Sequence, residues 1–265
     1  WHLSQHCPDK SFAILEGRDA IGGTWDLFRY PGIRSDSDMY TLGYNFKPWL
    51  QNQVIVNGEQ IRNYIEEAAV EGGFQNKIQF GRKVVSASWS SETATWTLDV
   101  LNKSGETQQM SCNWLMMCSG YYNFEQGYTP EFKGRDDFKG QIIHPQFWPE
   151  QLDYTGKRIV VIGSGATAIT LIPSMTDKAQ HVVMLQRTPS YLMTVPQFNP
   201  VMRLIFKVMP KMTAYNISRR FMNFITQSLF KLSRKYPNLV RKLLLKMVKF
   251  QVGPDIDMKH FTPPY

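Results

Sequence analysis

The stretch Lys157-Arg-Ile-Val-Val-Ile-Gly-Ser-Gly-Ala-Thr-Ala168 decides how this chain is read. Arg158–Gly163 (RIVVIG) is a near-continuous apolar run of the kind that forms a buried parallel strand. Gly163-Ser164-Gly165-Ala166-Thr167-Ala168 follows in the G-x-G-x-x-A form of the dinucleotide fingerprint. The first glycine permits a tight turn, and the second lets a pyrophosphate approach the backbone. The small third residue lets the helix pack close to the strand. Thr167–Met175 reads as that helix, and His181–Arg187 (HVVMLQR) as the next strand. Strand, glycine turn, helix and strand in this order make a βαβ unit with parallel strands. Its helix N-terminus would face phosphate groups with unsatisfied N–H donors and the positive dipole end.

The end of the second strand chooses between dinucleotides. NAD sites usually place an acid roughly 20 residues after the first glycines, on the ribose 2′-hydroxyl. Here the position reads Gln186-Arg187-Thr188. No carboxylate stands there to repel a 2′-phosphate, and Arg187 can form charge-assisted hydrogen bonds to one. NADPH is therefore expected over NADH.

Upstream, Phe12–Glu16 (FAILE) reads as a short buried strand ending in an acid, followed by Gly22-Gly23-Thr24-Trp25. An acid at that place suggests a second adenosine ribose site. Eleven residues precede this strand and none forms a glycine fingerprint, so the chain reads as starting inside a first helix. Residues 22–48 are loop-like. A helix is expected over Gln60–Glu71, with Ile61, Ile65, Ala68 and Ala69 on one face, Asn57 as its cap and Gly72-Gly73 as its stop. Strands are expected at Lys83–Trp89, Thr95–Leu101 and Trp114–Cys118, the last a core strand, with a turn-rich linker over Asn123–Gly140.

The composition, 43% hydrophobic and 20% charged over 265 residues, supports a folded core and excludes a disordered or low-complexity chain. Cys7, Cys112 and Cys118 form no C-x-x-C pair and no zinc-ligand spacing, so buried reduced thiols are expected. That absence also argues against a disulfide reductase of the two-dinucleotide type. The first residues do not form a signal peptide, and no apolar run is long enough to span a bilayer.

The net charge of +8 is unevenly placed. Residues 201–250 hold twelve Lys or Arg and no Asp or Glu, so the remainder carries −4 (8 − 12). Beyond Pro200 the chain reads as helical, amphipathic and basic until about Val252. Two readings stay open for it: a helical insertion with a solvated basic face, or a surface that touches anionic membrane. No nucleic-acid recognition motif accompanies it. The expected location is cytoplasmic, with or without membrane association.

Several of these residues resemble a known family. Glu16, Gly22-Gly-Thr-Trp25 and Arg29-Tyr-Pro-Gly-Ile-Arg-Ser-Asp36 are similar to the FAD-binding region of Baeyer–Villiger monooxygenases. Phe138-Lys-Gly140-Gln-Ile-Ile-His144-Pro-Gln-Phe-Trp148-Pro149 carries that family's F-x-G-x-x-x-H-x-x-x-W-P fingerprint, and its Trp-Pro ending favours this branch over the related flavin-containing monooxygenases. The resemblance runs from Phe12 to Tyr265. It implies an α/β flavoprotein with two Rossmann-like dinucleotide domains, for FAD and NADPH, plus a β-meander and a helical insertion. The implied boundaries are 1–140 for a partial FAD domain, 141–200 for the NADPH unit, 201–252 for the basic helices and 253–265 for the return to the FAD domain.

By the same resemblance, Glu16 would bind the FAD ribose, Thr24, Trp25, Asp26 and Leu27 would line the flavin site, and Val84 would touch the adenine. Arg34, Ser35 and Asp36 would meet flavin and nicotinamide, with Asp36 tuning the active site. Gly163, Ser164, Gly165, Ala166, Thr167, Ala168 and Ile169, with Arg187 and Thr188, would hold NADPH. His144 would serve a hinge or coupling role between domains. The family's catalytic arginine is expected beyond Tyr265, and no metal is expected. The implied reaction transfers one atom of O₂, through a C4a-peroxyflavin, to a ketone, a sulfide or a thioamide. A truncated, non-catalytic nucleotide-binding or membrane-associated module is the alternative.

Overall fold

Between Ile162 and Ala166 the backbone turns through Gly163 at φ +132°, a value only glycine adopts without strain. The structure is a computed structural model that describes residues 1–264. In chain order its strands are β1 (Ile14–Glu16), β2 (Ile78–Phe80), β3 (Lys83–Ser90), β4 (Thr95–Leu101), β5 (Thr107–Cys112), β6 (Arg158–Ile162) and β7 (His181–Leu185). Its α-helices are α1 (His2–His6), α2 (Thr24–Leu27), α3 (Met39–Leu42), α4 (Gly58–Glu71), α5 (Ala166–Met175), α6 (Pro200–Val208), α7 (Lys211–Lys235) and α8 (Pro237–Val252). Two units result: residues 1–28 with 59–147, and residues 29–58 with the chain from Trp148 onward.

In the first unit, β1 pairs with β2 in parallel, while β3, β4 and β5 form an antiparallel meander. Helix α4 buries Ile61, Tyr64, Ala68 and Ala69 on one face, close to the periodicity read from the sequence, with Tyr64 buried where Ile65 was expected. It ends in a Schellman motif. Gly73 sits at φ +71°, its N–H donates to the Val70 carbonyl, and the Phe74 N–H donates to that of Ala69.

Two expectations fail in this unit. Trp114–Cys118 is not a strand: β5 lies instead at Thr107–Cys112, brought back by a turn in which Gly105 (φ +84°) follows Asn102. Both edges of β4 are then taken by β3 and β5. Residues 114–118 are left irregular and largely exposed, Trp114 at 77%. The cysteines are free as expected, but none is buried; Cys118 is exposed because it lies in that irregular run.

In the second unit, β6 and β7 pair in parallel with Ile162 opposite Leu185, and α5 connects them, as the βαβ reading requires. The segment 29–58 packs here too. Its core residues Met39, Tyr40, Val54 and Val56 are almost wholly buried, as are Met175 of α5 and Met202 of α6. The Tyr40 hydroxyl donates to the Gln51 carbonyl, its ring stacks on Phe206 at 5.8 Å, and the Arg219 guanidinium donates to its carbonyl at 2.6 Å. Burial, helped by the Asp38 charge, holds this phenol far above the ordinary tyrosine range. Segment 29–58 is thus clamped by the helices that follow the nucleotide unit.

Gly32 shows how tight this docking is. It sits at φ +78°, and a Cβ there would overlap the Ser174 hydroxyl and come within 2.9 Å of the Thr170 carbonyl, both on α5. Gly32→Ala is expected to destabilise the protein by about 1–3 kcal/mol, from backbone strain and overlap together. Urea denaturation checks this, and an unchanged midpoint would mean that the turn is not pressed on α5.

Candidate nucleotide-binding site

The fingerprint turn closes on β7 through its backbone: the Gly163 N–H donates to the Leu185 carbonyl at 2.8 Å. The Ser164 hydroxyl donates to the Thr188 carbonyl at 3.3 Å, tying the turn to the chain just past β7. Gly165 is the N-cap of α5 and has no side chain to satisfy the first-turn N–H groups. A Cβ at Gly165 or Gly163 would meet nothing within 4 Å, so open space lies beside the turn rather than packed protein. Ala168 is buried, as close helix packing demands. An uncapped helix N-terminus facing open space is what a pyrophosphate group requires.

Arg187 follows β7 and is exposed; among the described residues it forms no ion pair. Its neighbour Gln186 is occupied otherwise, donating to the His260 carbonyl at 2.8 Å. No carboxylate stands at this strand end, so the residues present fit a phosphorylated ribose.

The loop 29–36 meets the same helix. The hydroxyls of Tyr30 and Thr167 are hydrogen-bonded, and Tyr30 is buried. Burial raises the Tyr30 pKa above its ordinary value; the Thr167 bond pulls it down, and the nearby Asp36 charge adds to the rise. Arg34 and Asp36 are exposed and 3.9 Å apart, and Arg34 also pairs with Asn57 as an isolated bridge. Ser35 is buried: its N–H donates to the Val56 carbonyl, and its hydroxyl donates to the Ser37 carbonyl. The structure therefore gathers Arg34, Ser35 and Asp36 into the unit that carries Gly163–Ile169, Arg187 and Thr188. Tyr30 and Gly32 were not singled out from sequence. Their contacts span more than 130 residues of chain, and only the PG turn hinted at them.

The first unit holds Glu16, Thr24–Leu27 and Val84. Glu16 ends β1 half-buried, and its carboxylate accepts the Arg18 N–H at 2.9 Å. The Arg82 N–H donates to the Glu16 carbonyl, which places the start of β3, with Val84, beside that strand end. Thr24–Leu27 forms one helical turn opened by Gly23 at φ +53°. Asp26 in this turn is buried and flanked by Arg18 at 2.6 Å and Arg62 at 3.7 Å. Among the described residues the buried Nε atoms of both arginines have no hydrogen-bond partner, although the Arg62 Nε lies 3.9 Å from the Glu66 carboxylate. This charged cluster was not visible in sequence, because Arg62 arrives from α4.

His144 accepts the Gln146 N–H on Nδ1, and its ring lies against Gly127, where a Cβ would overlap it. Gln146 is buried and its amide donates to the Asn123 carbonyl at 2.6 Å. Gly140 lies under the Phe138 ring in the same way. These contacts order the linker over 123–147 and assign no chemistry to His144. Of the three chain passages between the units, at 28/29, 58/59 and 147/148, the last falls inside the long fingerprint. No metal-binding cluster occurs among the described residues.

Comparison with known proteins adds four findings. A family model described as flavin-binding monooxygenase-like matches residues 41–251. The chain is 51% identical over 267 residues to an FAD-containing monooxygenase, EthA, of Mycolicibacterium smegmatis, covering all of this chain and 54% of the relative. It is 49% identical over 265 residues to a probable FAD-binding monooxygenase, AlmA, of an Acinetobacter species, covering all of this chain and 53% of the relative. The chain thus spans about half the length of the curated relatives it matches. Among solved structures, an oxidised steroid monooxygenase bound to NADP superposes with a TM-score of 0.67 at 27% identity, over 82% of this chain and 41% of that one.

Asp26→Ala would remove the carboxylate shared by two part-buried guanidinium groups, leaving Arg62 only Glu66 at 3.9 Å. A loss of about 2–4 kcal/mol is expected. Thermal or urea unfolding measures it, and a change below about 0.5 kcal/mol, the scale of ordinary surface substitutions, would show that the cluster is not holding the 24–27 turn.

Proposed function

Because this chain belongs to the flavin-binding monooxygenase-like family, we propose that the protein is an NADPH- and FAD-dependent monooxygenase of the Baeyer–Villiger type. The observation that carries the reading is the uncapped, open fingerprint turn at Gly163–Ala168, with Arg187 rather than an acid at the end of β7. The two-domain flavoprotein architecture accords with the α/β fold and with its likeness to monooxygenases of known structure. Relatives and neighbours whose names include FAD or NADP support the cofactor pair.

The roles follow from position. Backbone N–H groups of Ser164 to Thr167, at the N-terminus of α5, would hold the NADPH pyrophosphate, with Ile169 continuing the same turn of helix. Arg187 would hold the 2′-phosphate, and Thr188 would close the turn through its carbonyl. Glu16 would take the FAD ribose. Thr24, Trp25, Asp26 and Leu27 would wall the flavin, and Val84 would border the adenine. Arg34, Ser35 and Asp36 would orient the reacting rings, with Asp36, the candidate catalytic residue of this chain, tuning the active site. When bound, the two cofactors supply hydride transfer and oxygen activation; the chain supplies binding, orientation and exclusion of water. The functional domains are taken as 1–140 for FAD, 141–200 for NADPH, 201–252 for the basic helices and 253–265 for the return.

The substrate class is a ketone, sulfide or thioamide, with O₂ as co-substrate. Peripheral membrane contact, if made, would run through 201–250; among the described residues no helix is long and apolar enough to cross a membrane.

The full-length protein should purify yellow and oxidise NADPH in an O₂-dependent reaction stimulated by ketones or thioethers. A colourless protein that stays inactive after FAD reconstitution would overturn the reading. Arg187→Ala should lower kcat/KM for NADPH about 10- to 100-fold while changing that for NADH little, since only NADPH carries the phosphate. Equal losses for both would refute the role of Arg187.

A further inference from the structure

Helices α6, α7 and α8 carry the protein's concentrated positive charge, and the structure shows how little of it is used internally. Of the twelve cations in 201–250, three bind backbone carbonyls of their own unit: Arg219 to Tyr40, Arg241 to Pro263, and Lys249 to Pro254 and Ile256. The other nine are exposed, and among the described residues none is in an ion pair. A merely solvated helix face usually mixes both signs of charge; this one has no acid at all.

Each helix also exposes an apolar stripe at helical spacing. On α6 it is Val201, Leu204 and Val208; on α7 it is Ile217, Phe221, Phe224 and Leu232; on α8 it is Leu239, Leu243, Met247 and Phe250. Phe224 is 68% exposed and Phe250 89%. Cations border the stripes at neighbouring helical angles: Arg220 and Lys231 on α7, Lys242 and Lys246 on α8. Where α6 meets α7, Arg203, Lys207 and Lys211 line a cavity with Phe206, Leu50 and Asn52. Apolar stripes edged by unpaired cations are the composition of helices that lie in a bilayer interface, with rings in the acyl boundary and ammonium groups among anionic headgroups.

We propose that α6–α8 form a docking surface for an anionic lipid bilayer, which would hold the protein at a membrane without any of these three helices crossing it. The charge selects the occupant: nine exposed cations outside any ion pair, with no acid in 201–250, complement an anionic headgroup layer, whereas a second copy of the same surface would repel itself. The proposal stands apart from the flavin reading. A protein without flavin activity could still bind membranes here, and a soluble one could still be a monooxygenase.

The test is vesicle co-sedimentation of the full-length protein at about 0.1 M salt. Vesicles of phosphatidylcholine alone are compared with vesicles holding about one-third phosphatidylglycerol. Binding is expected to the anionic vesicles only, and to weaken as salt rises. Lys242→Glu with Lys246→Glu, and separately Phe224→Ser with Phe250→Ser, should each lower partitioning about tenfold or more. Lys133→Glu with Lys139→Glu, an equal charge change in the other unit, should not. All of these side chains are exposed, so far-UV circular dichroism should be unchanged. No binding, equal binding to neutral vesicles, or indifference to the α7 and α8 variants would overturn the proposal. So would a self-associated state, seen by light scattering, that the same variants dissolve while vesicles remain unbound.

Discussion

One unsatisfied helix end organises the second unit. Helix α5 has Gly165 as its N-cap, with no side chain to satisfy its first N–H groups, and the turn before it needs the positive φ of Gly163. A helix N-terminus left open in this way carries donors and a partial positive charge that require an acceptor. The open space beside both glycines leaves room for an acceptor from outside the protein, and the pyrophosphate of NADPH is the group proposed for it. The parallel pairing of β6 and β7 brings Arg187 to the same end of the sheet.

Around this turn the chain commits a distant segment. The loop 29–36 reaches α5 through Gly32 against Ser174 and through Tyr30 bonded to Thr167. Both are contacts to the helix that would carry the pyrophosphate. The same segment continues to Tyr40, which the Arg219 guanidinium holds from α7. So the basic helices are not an appendage. They fix the loop that presents Arg34, Ser35 and Asp36, while their outward faces keep most of their charge unspent. The loop's position and the helices' surface chemistry are two consequences of one insertion.

The fold was legible where local patterns and long-range packing agree. The apolar run at 158–162, the glycine turn, the helix after it and the strand at 181–185 were read nearly to the residue, because glycine spacing and apolar runs are local signals. Helix α4 and its stop at Gly73 were legible for the same reason. The third meander strand was not. The polar run TQQMSC became β5 because the turn at 102–106 fixed its register on β4, while the more apolar 114–118 pairs with no strand. Pairing partners, not intrinsic preference, decided that outcome. At the candidate site, the fingerprint residues and Arg187 were visible as a motif. Tyr30, Gly32 and the Arg18–Asp26–Arg62 cluster were not, since each depends on residues far apart in sequence.

The account rests on the N-terminus of α5 being a pyrophosphate site with a 2′-phosphate pocket at the end of β7. A crystal structure of the protein with NADP⁺ tests that most directly. It should show pyrophosphate oxygens within about 3 Å of backbone N–H groups in 164–167 and the 2′-phosphate on the Arg187 guanidinium. A dinucleotide bound elsewhere, or one seated at this turn with its 2′-phosphate directed away from Arg187, would contradict it.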